Sequence, residues 1–238
     1  MAAAVQPTDE DLDLFLQVAR HCQDVLGGVQ TQLAGLGYEG PTPRVKTTGT
    51  LVDKLRREHP MRLSQVQDLA GARVVVAGRF EQVAAVAAII NLLTSQGHRS
   101  KLSDRLARPM HGYRAMHILV CIDQVNVEIQ VRTRLQDSWA LVVEDLADIW
   151  GRGIRYGDEP VDATARIRVG DSTLSRSEAL ATLKMLSDNI FQFEENSVKL
   201  HELGGPIATA QLRFEVLSQE PALRDTLQLF AEASQERE

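Results

Sequence analysis

The stretch that most constrains this chain is residues 104–139, DRLARPMHGYRAMHILVCIDQVNVEIQVRTRLQDSW. Its centre predicts a β-hairpin: a strand over 117–122, a turn over 123–126 and a return strand over 127–133. The return strand alternates strictly. Val127, Ile129 and Val131 fall on one face, Glu128, Gln130 and Arg132 on the other. A rise of roughly 3.3 Å per residue spaces the second set about 7 Å apart at each step. The first face suits a core. The second is either a solvated face of an antiparallel sheet or a row of functional groups. The hairpin alone leaves both open.

The remaining chain narrows the choice. It has 238 residues, 44% hydrophobic and 24% charged, enough to bury a core without disulfides or metal. One large domain, or one domain with an appendage, is expected. Cys22 and Cys121 are far apart and in no CxxC pattern, which fits a reducing compartment. Cys121 reads as a small core residue of its strand. Residues 1–10 lack a basic region followed by an apolar core, and the apolar run 83–93 is too short to span a bilayer. The expectation is a cytoplasmic protein with no membrane partner. A net charge of −6 argues against indiscriminate nucleic-acid binding.

In chain order, residues 9–36 read as a helix, with Leu12, Phe15, Leu16, Val18 and Ala19 at helical spacing and Gly27-Gly28 as a possible break. His21 in this helix takes a packing or surface role. Residues 37–43 are a turn segment, and a helix over about 48–58 follows. A β-branched strand begins at Arg73, with Asp68 and Gly71 just before it; Asp68 there is either a turn residue or a metal ligand. Residues 80–96 form a buried helix ending at Gly97. Residues 98–114 read as a basic loop. There Arg99, Lys101, Arg105, Arg108 and Arg114 meet one acid, Asp104, for a local charge of +4 that suits an anionic ligand. After the hairpin, 134–150 is helical with a broad apolar face, 151–160 a loop, 172–203 a long helix or helix pair, and 208–235 a final helical segment. Leu180, Leu183, Leu186, Ile190 and Phe193 form a stripe fit for self-association or for packing on the chain's own domain.

Four blocks in this order resemble the synthetase domain of the RelA/SpoT family, especially its small alarmone synthetases. They are RVKTTGTLVDKL at 44–55, DLAGARVVV at 68–76, GYRAMH at 112–117 and EIQVRT at 128–133. The resemblance covers about residues 40–157. No His-Asp dipeptide of the family's hydrolase half occurs. Membership implies an α/β (α+β) fold, a mixed sheet flanked by helices of nucleotidyltransferase type, over 1–157, with 158–238 as a C-terminal helical extension. It implies Mg²⁺-dependent transfer of pyrophosphate from ATP to the 3′-hydroxyl of GDP or GTP.

By that resemblance Asp68 and Glu128 are the catalytic and metal-binding carboxylates, a pair that suits Mg²⁺ and phosphoryl-type transfer. Arg44, Lys46 and Lys54 face ATP, Arg44 by stacking on adenine, and Arg73 either touches an ATP phosphate, fixes Asp68 or forms a structural salt bridge. Tyr113 stacks on the acceptor base. His117, Gln130 and Arg132 line the acceptor site, His117 through a phosphate or through a structural hydrogen bond. The chain departs from the family in three places. RPMHGY has Met110 after Pro109 where many members have a lysine, and one residue fewer before Gly-Tyr; Arg105 or Arg108 can replace that charge. The acid-His pair of the following helix is Glu144-Asp145. The later Tyr-Lys is Tyr156-Gly157. A changed acceptor, such as the 3′ end of tRNA or an adenosine nucleotide, is the alternative, with an antitoxin as a possible partner of such a toxin.

Overall fold

The computed structural model describes residues 9–38, 42–45, 70–203 and 209–235. Asp68, Lys46, Lys54 and the helix expected over 48–58 lie outside the described residues, and of Arg44 only the backbone is described. The fold is α+β, a mixed sheet flanked by helices, as the resemblance implies. The chain divides into two compact, interleaved units, taken here one at a time. The first holds residues up to 74, 87–103 and 117–130; the second holds 75–86, 104–116 and 131–238.

Most of a five-stranded sheet belongs to the first unit. Its strands are β1 (Thr42–Val45), β2 (Ala70–Val76), β3 (Ser100–Asp104), β4 (Met116–Ile122) and β5 (Val125–Thr133), in the order β1-β2-β5-β4-β3. β1 runs antiparallel to β2, with Arg44 opposite Gly71 and Thr42 opposite Arg73. The hairpin is tighter than expected. Asp123 and Gln124 both take positive φ, 47° and 66°, so the strands meet in a two-residue turn of the type that matches strand twist. Helix α1 (Asp9–Gly35) is continuous through Gly27-Gly28. Its buried stripe is Cys22, Val25, Leu26, Val29 and Leu33, while Leu16 and Val18 are exposed. His21 Nε2 lies 2.8 Å from the carbonyl oxygen of Asp123 and ties α1 to the hairpin turn.

Three expectations are corrected. Residues 100–104 are the strand β3, not loop; its alternation is hard to see because Lys101, Leu102 and Asp104 are all exposed. Cys121 is exposed, since β4 turns Ile118 and Val120 inward and sends alternate residues outward. Residues 166–175 form a second hairpin, β6 (Arg166–Val169) against β7 (Ser172–Ser175), so the long helix starts at Arg176 rather than Ser172.

The second unit is mainly helical. Helix α2 (Arg79–Ser95) contributes its first part. The core comes from α3 (Arg134–Trp150), α4 (Arg176–Leu203) and α5 (Thr209–Gln235). The stripe Leu180, Leu183, Leu186, Ile190 and Phe193 is buried against the chain's own helices. Ser175 caps α4: its hydroxyl accepts from Glu178 N, and Glu178 Oε2 accepts from Ser175 N.

Among these apolar residues lies an acid. Glu194 is 2% exposed. It accepts from the Thr133 hydroxyl and from Gln136 Nε2 at 2.6 Å. Gln136 Oε1 accepts from Gln82 Nε2 at 2.8 Å, and Gln82 Nε2 also reaches Val131 O at 2.8 Å. Burial pushes the Glu194 carboxyl up from 4.5 to about 7, against the opposing pull of both hydrogen bonds and of Arg79 and Arg114. A raised carboxyl pKa means that the folded state holds the proton more tightly. Its stabilising share is therefore present below pH 4.5 and is lost as pH rises to about 7. Chemical denaturation at pH 5 and pH 8 checks this. Wild type should lose stability across the window, by up to roughly 3 kcal/mol from this group, and Glu194→Gln should lose markedly less.

Candidate active site

The first cluster sits in the first unit, where β4 and β5 neighbour each other. The period of two on β5 brings Glu128 and Gln130 to the same face, as the sequence predicts. Glu128 is 14% exposed. Its Oε1 lies 2.6 Å from Nδ1 of His117, and its Oε2 accepts from Gln130 Nε2 at 3.0 Å. His117 itself is 3% exposed. Glu128 is thus a partly buried carboxylate with His117 at one oxygen and Gln130 at the other. Among the described residues no three His, Cys, Asp or Glu side chains cluster as a metal cage. Mg²⁺ characteristically uses one or two carboxylates together with substrate phosphates, so the donor chemistry of Glu128 fits that ion. Arg73 on β2 is half-buried.

The second cluster sits in the second unit. Arg132 is 1% exposed, the next inward step of β5 after Gln130. Its guanidinium donates to Asp137 Oδ1 at 3.0 Å and to the Tyr113 hydroxyl at 3.0 Å, and lies 5.0 Å from the centre of the Tyr113 ring. Burial works to lower the Arg132 pKa. Tyr113, Asp137 and Glu144 outweigh it, and the group stays charged above its ordinary value. One face of the Tyr113 ring is therefore covered by a cation.

Tyr113 is delivered by a tight turn. His111 and Gly112 have φ of 53° and 92°, and Tyr113 N bonds to Met110 O at 2.9 Å. Gly112 is forced. A Cβ there would stand 2.7 Å from Trp139 Cζ2, and Trp139 is held by its own bond to Leu183 O at 2.6 Å. The ring of His111 lies against Gly157, where a Cβ would come within 2.4 Å of Cε1. Two of the three departures from the family pattern, RPMHGY and Tyr156-Gly157, thus touch each other.

The basic loop reads differently in place. Arg114 is buried and donates to Ser187 Oγ at 3.1 Å, to Leu106 O and to Asp188, with its guanidinium 4.5 Å from the Phe191 ring centre. It therefore does not belong to a surface charge. Arg105 is half-buried and Arg108 exposed. Sequence reasoning missed Asp137 and Glu194. A signal existed for the second: Glu194 falls four residues after Ile190 and seven after Ser187, inside the apolar stripe of α4.

Residues 43–147 match the family described as the region found in RelA / SpoT proteins. Uncharacterized proteins of Mycobacterium tuberculosis and Mycobacterium bovis are 33% identical over 164 residues, which is 66% of this chain. The chain spans 59% of the length of these curated relatives. Among solved structures, the small alarmone synthetase 1 from Bacillus subtilis matches with TM-score 0.57 and 21% identity, covering 82% of this chain and 97% of that one. The same protein bound to its product pppGpp matches with TM-score 0.57 and 20% identity, covering 82% and 99%. A GTP pyrophosphokinase family protein from Streptococcus pneumoniae matches with TM-score 0.52 and 22% identity, covering 82% and 92%. These likenesses establish a shared fold. The RelA/SpoT region contains Glu128, His117, Gln130, Arg132 and Tyr113.

The turn before Tyr113 gives a direct test. Gly112→Ala should cost about 2–4 kcal/mol, from positive φ together with the clash on Trp139. Gly97→Ala, with positive φ but nothing within 4 Å of the new Cβ, isolates the backbone share. Thermal unfolding should separate the two, with Gly112→Ala clearly the lower.

Proposed function

We propose that the chain is a pyrophosphotransferase that makes guanosine 3′-diphosphate nucleotides from ATP and GDP or GTP, in the cytoplasm. The observation that carries this reading is Glu128, a partly buried carboxylate bordered by His117 and Gln130 within the RelA/SpoT region. The acceptor 3′-oxygen attacks the β-phosphorus of ATP. The bond from that phosphorus to the oxygen bridging to the α-phosphate breaks, and AMP leaves. The hydroxyl proton passes to Glu128, whose nearness to His117 stabilises the carboxylate's position. Mg²⁺, held by Asp68 and Glu128, would neutralise phosphate charge. Arg44, Lys46, Lys54 and Arg73 take ATP. Tyr113 stacks on the acceptor base, and Arg132 braces its ring. Gln130 orients Glu128. Arg105 and Arg108 supply charge to the acceptor phosphates.

A second reading keeps the reaction and changes the acceptor to the 3′ end of tRNA or to an adenosine nucleotide. The contact of His111 with Gly157 favours it, because both residues stand where this chain departs from the family pattern. Purified protein with Mg²⁺ and ATP should therefore be offered GDP, GTP, ADP and tRNA separately. AMP release should depend on GDP or GTP and yield tetra- or pentaphosphorylated guanosine. Label appearing on tRNA or adenosine nucleotide alone selects the second reading, and no AMP with any acceptor rejects both. Glu128→Gln should lower kcat about 100-fold or more while the protein stays folded.

A further inference from the structure

Helix α4 grips the segments that carry Tyr113 and Arg132 from a single face. Leu183 O accepts from Trp139, which backs Gly112. Ser187 Oγ donates to Gly112 O and accepts from Arg114. Asp188 and Phe191 complete the Arg114 contact. Glu194 holds Thr133 and Gln136, and Glu195 meets Arg79 at 3.5 Å. Positions 183, 187, 191 and 194 repeat at helical spacing. Apart from that of Glu195 with Arg79, each contact ends within one or two residues of Tyr113 or Arg132, or in the first turns of α3, which carries Asp137.

Glu194 is buried, and as a carboxylate it accepts both of its hydrogen bonds. Thr133 is both the last residue of β5 and the N-cap of α3. Its Oγ1 accepts from Gln136 N at 3.1 Å, which leaves its proton for Glu194. Gln136 Oε1 accepts from Gln82 Nε2 at 2.8 Å and from Thr133 N at 3.3 Å, so its Nε2 must point at Glu194. Removing the acceptor would orphan two buried donors at the point where strand becomes helix. Arg132 immediately precedes that point, and Asp137 follows it by four residues.

We propose that Glu194 is a positioning residue of the acceptor site: through Thr133 and Gln136 it fixes the junction that aims Arg132 and Asp137, and with them Tyr113. This rests on the acceptor-site reading of Tyr113 given above. Glu194 touches no substrate. A Gln in its place keeps the contact with Gln136, its oxygen accepting, and reverses the other, its amide donating to the second lone pair of Thr133 Oγ1; Leu has the bulk and neither contact.

The test compares wild type, Glu194→Gln and Glu194→Leu in the full chain. Steady-state rates are measured with acceptor nucleotide varied at saturating ATP, then ATP varied at saturating acceptor. Hydrogen exchange at the Gln136 amide is followed in the same proteins. Glu194→Leu should raise the acceptor KM about tenfold and leave the ATP KM within about twofold, the pattern of lost ground-state positioning at one substrate. Glu194→Gln should bring the acceptor KM back to within about threefold of wild type. The Gln136 amide should lose protection in the Leu variant alone. Equal rises in both KM values, an unchanged acceptor KM in the Leu variant, or no rescue by Gln overturns the proposal. If wild type turns over no acceptor, the acceptor-site reading has failed, and the exchange measurement still decides the junction: unchanged Gln136 protection in the Leu variant overturns the positioning role by itself.

Discussion

A buried acid at the junction of strand and helix is the constraint on which the second unit depends. Glu194, with its two donors, closes a chain of hydrogen bonds that runs through Gln136 and Gln82 to the backbone of Val131. Every polar group along that path has a named partner, which is the condition for such a network to stabilise a core. The network ends one residue from Arg132, itself buried and balanced by Asp137 and the Tyr113 hydroxyl. A guanidinium that deep tolerates only small displacements, because its charge is satisfied by directional contacts. The ring of Tyr113 therefore takes its orientation from groups on α3 and α4 that lie far from it in sequence.

Glu128 is set up differently. It stands in the first unit and depends on the local alternation of β5 and on one neighbour across the hairpin, His117. The β4–β5 pair puts His117, Glu128 and Gln130 together. This division has a chemical sense under the proposed reaction. The carboxylate that handles a metal or a proton is built into a short hairpin. The aromatic group that selects the acceptor is braced by long-range contacts, where changes at Pro109–Gly112 and at Gly157 can alter recognition without disturbing the carboxylate.

What was legible in the sequence follows the range of the interactions. The alternation of Val127 to Arg132 is local, and β5, its faces and the helix after it stand where the pattern places them. The β6–β7 hairpin escaped because four-residue strands carry too few alternations to show a period, and Ser172–Ser175 also reads as a helix cap. β3 was hidden by its exposed side chains. Cys121 misled because an apolar residue in an apolar strand reads as core, although β4 has two faces. Arg114 was counted with the surface charges because composition cannot reveal that Asp188 and Ser187, more than 70 residues away, enclose it. Glu194 offered a visible signal, an acid within an apolar stripe, whose meaning required knowing which donors face it.

The central claim is that a pyrophosphoryl group, and not a single phosphoryl group, moves. ATP labelled at the β-phosphorus tests this most directly, with guanosine nucleotide as acceptor. The account predicts that the label leaves with the γ-phosphate, appears at the acceptor's 3′ position and is absent from the AMP released. Label retained in ADP, with unlabelled phosphate on the acceptor or free in solution, would contradict it.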